Sequence, residues 1–120
     1  MTYKSLHETT IELLQYANEC MNRYESVRNN LELKFDFYSD IKPFCDKVYH
    51  LAKEWEELSQ NWIKKEQPRY TNMSGIIQTI DNLNNVAVSS FDRKTSYKRF
   101  IDHYQSVTFH LNKVANSTRV

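Results

Sequence analysis

One glycine, two prolines and two cysteines stand in 120 residues. A chain of this length and average composition carries about eight glycines, so turns that need positive φ are scarce here. Sandwiches and barrels depend on many such turns, and open α/β sheets on glycine-bearing phosphate loops, so both are disfavoured. The longest unbroken apolar run is Val86 to Val88, far below the roughly 20 residues of a membrane-spanning helix. The N-terminal MTYKSLHETT has no apolar stretch of the kind a secretion signal carries. These absences predict a cytoplasmic protein with no membrane partner. Cys20 and Cys45 form no C-x-x-C and supply neither a disulfide framework nor zinc spacing, and free, buried thiols are expected. Lys plus Arg number 16 against 15 for Asp plus Glu, a formal charge of +1, which provides no overall field for steering a polyanion.

What the chain has instead is aromatics, 13% of it, and helical periodicity. Tyr3, Leu6, Thr10, Leu13, Ala17, Cys20, Tyr24 and Val27 alternate spacings of three and four, the stripe of an amphipathic helix over about 2–27. Phe37, Ile41, Phe44, Val48, Leu51, Trp55, Leu58 and Trp62 repeat it over about 37–67, with Asp36 as N-cap and Pro68 as stop. Pro43 requires either a separate turn over 37–42 or a kink. A third helix over about 72–91 takes Thr71 or Asn72 as cap and Met73, Ile76, Ile80, Leu83 and Ala87 as stripe. A fourth over about 94–117 takes Asp92 or Thr95 as cap and Tyr97, Phe100, Ile101, Tyr104, Val107, Thr108, Leu111 and Val114 as stripe. The fold expected is all-α, an antiparallel up-down-up-down four-helix bundle forming a single domain over 1–120. The helices without breakers, the first and fourth, are expected to be the longest. Ile11, Ile63, Val86 and Val88 lie off the stripes, so the chain is read as a monomer or a weak dimer through a helix face.

The chemistry this fold could carry can be tested residue by residue. A di-iron bundle needs Glu-x-x-His on two helices, and no glutamate here is followed by His three positions on. His7, His103 and His110 could approach one another if the first and fourth helices run antiparallel. Histidines beside a core stripe ordinarily present a polar tip to water, and no metal or other cofactor is expected. Asp102, His103 and Ser106 share one turn without an oxyanion hole. Gly75 stands alone and builds no phosphate loop. No catalytic residue is assigned, and the protein is read as a non-enzyme.

One end of the expected bundle gathers the connection at 28–36 and the start of the fourth helix. It holds Arg28, Lys34, Lys42, Arg93, Lys94, Lys98 and Arg99 among Phe35, Phe37, Tyr38 and Tyr97, partly offset by Asp36, Asp40 and Asp92. Phe35, Phe37 and Tyr38 are expected to hold this glycine-free connection by packing. The candidate partner-binding residues are Phe35, Phe37, Tyr38, Lys42, Arg93, Lys94, Lys98 and Arg99. The leading function is a protein-interaction module with an unknown protein partner. The alternatives are nucleic-acid binding at the same patch, by base stacking and phosphate contact, and a metal-binding bundle with His7, His103 and His110 as candidate ligands.

Arg23-Tyr24, Asp36-Phe37-Tyr38, Ile41-Lys42-Pro43, Trp55, Pro68-Arg69-Tyr70, Lys98-Arg99-Phe100 and Leu111 occur in this order. Together they resemble the pattern of the YppE-like family, small uncharacterised proteins of Gram-positive bacteria. The resemblance spans nearly the whole chain and implies a cytosolic four-helix up-and-down bundle. It brings no catalytic residue. Within it, Pro68 to Tyr70 reads as a stop with the Tyr70 ring packed under the base of the bundle.

Overall fold

Leu6, Thr10, Leu13, Ala17, Cys20, Tyr24 and Val27 all lie on one side of a helix, and all are buried in the computed structural model, which describes residues 3–119. This helix, α1 (Lys4–Asn29), is followed by α2 (Lys42–Glu66), α3 (Met73–Ser89) and α4 (Tyr97–Ser117). There is no β-strand among the described residues. The expected start of the first helix at residue 2 lies outside the described residues. One core takes side chains from all four helices, with Trp55, Tyr24 and Phe100 its largest fully buried members.

Contacts between helix ends define how the chain folds back. The start of α1 meets the end of α2 where the Tyr3 hydroxyl donates to Glu66 Oε1 at 2.9 Å. It meets the end of α4 where His7 Nδ1 lies 3.3 Å from Thr118 Oγ1. At the far end, the Tyr24 hydroxyl donates to the Thr95 carbonyl at 2.6 Å, and Arg23 donates to Ser90 Oγ at 3.0 Å. The end of α1 is thus tied to the α3–α4 connection. The molecule measures 50 × 27 × 22 Å, the long dimension set by helices of about 40 Å at 1.5 Å per residue.

Several boundaries and faces differ from the sequence expectation, each for a local reason. Residues 37–41 form one π-type turn opened by Asp36, whose carboxylate accepts from Ser39 N at 2.8 Å. The second α-helix therefore begins at Lys42, and Pro43 stands in its first turn, where a missing N–H costs nothing. The buried face of α2 is Val48, Ala52, Trp55, Ser59 and Trp62, while Leu51 and Leu58 flank it half-buried. The two indoles fill the axis only if small residues alternate with them, so Ala52 and Ser59 take the positions expected for leucine. At 25 residues α2 also exceeds the 21 of α4, despite its proline. Helix α4 starts at Tyr97 with Ser96 as its cap, accepting from Arg99 N at 3.2 Å, rather than with Asp92 or Thr95. Asp92 is occupied one turn earlier by Lys94 N at 2.8 Å and the Thr95 hydroxyl at 3.4 Å. Asn72 caps α3 as expected, through Gly75 N at 2.8 Å. Val86 is a core residue, not a leftover apolar face, and Tyr70 is 73% exposed, not packed beneath the bundle.

The connection after α1 is held differently from expectation too. Phe35 packs edge-on against Phe91, with ring centroids 5.0 Å apart, but Phe37 and Tyr38 are exposed and touch each other instead. The remaining hold comes from Arg93. Its guanidinium donates to the carbonyls of Val27 at 3.2 Å, Asn30 at 3.0 Å and Leu33 at 3.2 Å. One planar cation thereby fastens the last turn of α1 to the connection that follows it, through three backbone carbonyls.

Three outcomes follow from this architecture. Trp55 Nε1 donates to Thr10 Oγ1 at 2.8 Å inside the core, and Thr10 in turn donates to the Leu6 carbonyl at 2.7 Å. Thr10→Val keeps the shape but orphans the buried indole N–H, and should cost about 1–3 kcal/mol in urea unfolding, much of it recovered by Thr10→Ser. Gln67 ends α2 with φ of 45°, the one positive φ among the described residues. Gln67→Gly should raise stability by about 0.5–1 kcal/mol, since glycine carries no Cβ penalty there. Arg93→Gln should speed amide hydrogen exchange across residues 30–36 by about tenfold, while the core amides of α1 keep their protection.

Candidate functional site

The end of the bundle built by residues 28–43 and 89–99 is organised around Arg23. Its side chain is only 13% exposed and forms an ion pair with Glu19 at 3.2 Å. The guanidinium carbon lies 4.2 Å from the Phe44 ring centroid and 4.1 Å from that of Phe91, a cation held between two aromatic faces. Phe91 then meets Phe35, and Phe44 meets Tyr16, so aromatic contacts run from α1 through α2 into both connections. Beside them, Tyr24 stacks on Phe100 with centroids 4.0 Å apart, and Arg28 donates to the Tyr24 hydroxyl at 2.8 Å while lying over the Tyr97 ring.

Outside this packed layer the surface is apolar and basic. A groove of about 420 Å³ is lined by the apolar Val27, Leu33, Phe35, Ile41 and Phe91 and by the charged Lys34, Asp92, Arg93 and Lys94. Leu31, Phe37, Tyr38 and Tyr97, all at this end, are 74%, 54%, 77% and 52% exposed. Asp92 and Lys94 also line an open cleft of about 510 Å³ between α3 and α4, together with Arg99 and His103.

The structure sorts the candidate residues by how much of each is already engaged. Arg93 is spent on the backbone of the connection, and Lys42 is paired with Asp46 at 2.6 Å. Phe35 is half-buried as packing. Phe37, Tyr38, Lys94, Lys98 and Arg99 are exposed, and among the described residues no carboxylate pairs with those three cations. Sequence reasoning missed Leu31, which belongs to no stripe, and Arg23. The signal for Arg23 was a cation one residue before Tyr24 and three after Cys20, beside a stripe otherwise free of charge.

The three candidate histidines go to separate places. His7 contacts Thr118, His103 lines the α3–α4 cleft, and His110 lines a cavity of about 120 Å³ with Tyr70 and Gly75. No group of three His, Cys, Asp or Glu able to hold a metal forms among the described residues. Burial, then the charge of Lys113, lowers His110 below the ordinary histidine range. Burial pushes the Cys20 thiol up to about 12, overriding the opposing pull of Arg23, and raises Cys45 for the same reason. Both thiols are therefore protonated near neutral pH and poor nucleophiles. Ser106 Oγ accepts from Asn82 Nδ2 at 3.5 Å, and no hydrogen bond links it to His103 or Asp102 among the described residues. No described helix is long and apolar enough to cross a membrane.

Comparison with known proteins agrees with this picture of a small bundle. A Bacillus subtilis (strain 168) protein described as uncharacterized protein YppE is 29% identical over 114 residues, covering 95% of this chain and 92% of its own. The solved structure of a Listeria innocua protein of unknown function superimposes with a TM-score of 0.92 at 35% identity, over 98% of this chain and 93% of that one. The crystal structure of Bacillus subtilis yppE gives 0.91 at 28% identity, over 97% and 94%. The sequence pattern described as a bacterial domain of unknown function (DUF1798) matches residues 10–118. The ordered landmarks from Arg23 to Leu111 thus pointed to the right relatives, and this chain belongs to the DUF1798 family.

Proposed function

We propose that the protein is a non-enzymatic interaction module, an antiparallel up-down-up-down bundle that works in the cytoplasm and docks a segment of a partner protein at the end formed by residues 28–43 and 92–99. The pairings of the start of α1 with the ends of α2 and α4 support that topology. The two free cysteines suit a reducing compartment. The observation that carries the docking reading is that four exposed large apolar side chains, Leu31, Phe37, Tyr38 and Tyr97, lie at the same end as a groove lined by three cations and one carboxylate. Exposed aromatics beside a partly apolar groove are the usual makings of a binding hot spot. The charge of the lining selects the occupant: an acidic segment that inserts an aromatic or aliphatic anchor between Phe35 and Ile41 and sets Asp or Glu against Lys34 and Lys94. The groove is rigid, since Phe35 and Phe91 are locked by Arg23 and the connection by Arg93, so little ordering entropy opposes binding.

Random peptides displayed on phage and selected against the full chain test this reading. The expected winners are rich in Asp and Glu around one hydrophobic anchor, and lose about ten- to a hundredfold in affinity to a variant carrying Phe37→Ala, Tyr38→Ala, Lys34→Glu and Lys98→Glu. Winners bound equally by the variant would place the contact elsewhere. Binding of single-stranded DNA that falls steeply with salt and weakens in Tyr38→Ala would favour nucleic acid over an acidic peptide.

A further inference from the structure

The cleft between α3 and α4 adjoins the groove at Asp92 and Lys94, and its chemistry differs. Its lining residues are all polar or charged, and most of the surface they present is polar. Lys94 reaches it from the turn, and Arg99 and His103, four residues apart, reach it from one face of α4. Asn85 and Ser89, also four apart, present an amide and a hydroxyl from α3. Asp92 is the acidic group in the lining, and its two oxygens are already directed at Lys94 N and the Thr95 hydroxyl. The cationic side chains make no ion pair among the described residues, although carboxylates are as abundant in this chain as cations. Two cations without an ion pair thus line, with one carboxylate, a concave cleft of about 510 Å³, within the ~300–1,000 Å³ typical of small-ligand sites.

We propose that this cleft binds a phosphate-monoester group, a tetrahedral dianion held by the Arg99 fork and the Lys94 ammonium, with Ser89, Asn85 and His103 completing its hydrogen bonds. Arg99 supplies the planar paired donors that fit two phosphate oxygens, and Lys94 supplies a compact charge from the other wall. Ser89 and Asn85 add donors without charge, and the one carboxylate in the lining, Asp92, is turned to Lys94 N and the Thr95 hydroxyl. The group could come from a free phosphate ester or from a phosphorylated side chain of a partner. The cleft and the groove share Asp92 and Lys94, whereas Arg99, His103, Asn85 and Ser89 line the cleft alone, so Arg99 is the residue that separates this proposal from the docking reading.

The test is a titration of the isotopically labelled full chain, followed by amide and side-chain NMR shifts, with inorganic phosphate, O-phosphoserine and an acidic peptide carrying one phosphoserine. Saturable shifts confined to Asn85, Ser89, Lys94, Arg99 and His103 are expected. Arg99→Gln and Lys94→Gln should each weaken binding about tenfold, and because both side chains are exposed, the folded spectra should otherwise be unchanged. Shifts that never saturate, that spread over lysines around the whole surface, or that are equal in wild type and Arg99→Gln overturn the site. If the phosphopeptide binds at least about tenfold more tightly than O-phosphoserine, and Phe37→Ala removes the gain, the group arrives on a partner protein. Equal affinities identify a free phosphate ester. Loss of phosphate binding in Arg99→Gln with peptide selection at the groove intact, or the reverse, separates failure of one proposal from failure of the other.

Discussion

The guanidinium of Arg23, held between the rings of Phe44 and Phe91, is the joint on which one end of this protein depends. A cation largely removed from water needs compensation on every side, and here two ring faces, the Glu19 carboxylate and the Ser90 hydroxyl supply it. Those partners belong to α1, α2 and the α3–α4 connection. The single side chain therefore brings three parts of the chain into register, and Phe91, once placed, positions Phe35 and the connection after α1.

This arrangement answers a difficulty set by composition. With its single glycine inside α3, the chain makes its long connection and sharp reversals without relaxed positive-φ positions, and Gln67 adopts one at a cost. Order at the turns comes from side chains instead. Asp36, Asn72, Asp92 and Ser96 each accept a backbone N–H, and Arg93 collects three carbonyls. A bundle end braced in this way can leave Phe37, Tyr38 and Tyr97 in solvent without losing its shape, and a rigid exposed surface is the condition on which both the proposed docking groove and the proposed phosphate cleft rest.

The stripe of α1 could be read from spacing alone because that helix packs against all three others, and seven of the stripe's eight residues, Leu6 to Val27, are buried while Tyr3 is half-buried. The α2 stripe was rotated, since hydrophobicity ranks Leu51 and Leu58 above Ala52 and Ser59, whereas packing beside two tryptophans favours the smaller pair. The candidate surface was legible as a region. Its division was not: Arg93, Lys42, Lys94 and Arg99 look alike in sequence, but the first binds backbone, the second pairs with Asp46, and the other two face a cleft.

The sequence by itself determined an all-helical chain, the number of helices, the family and the end of the bundle where charge and aromatics collect. Those properties are local or compositional: a helix repeats every 3.6 residues whatever it packs against, and the lack of glycine acts through the backbone of each residue. The tertiary structure decided which cations are free. A side chain's partner depends on which carbonyls, rings and carboxylates the fold brings within about 3–4 Å of it, and contacts such as Arg93 with Val27 or Arg23 with Phe91 join residues more than sixty positions apart.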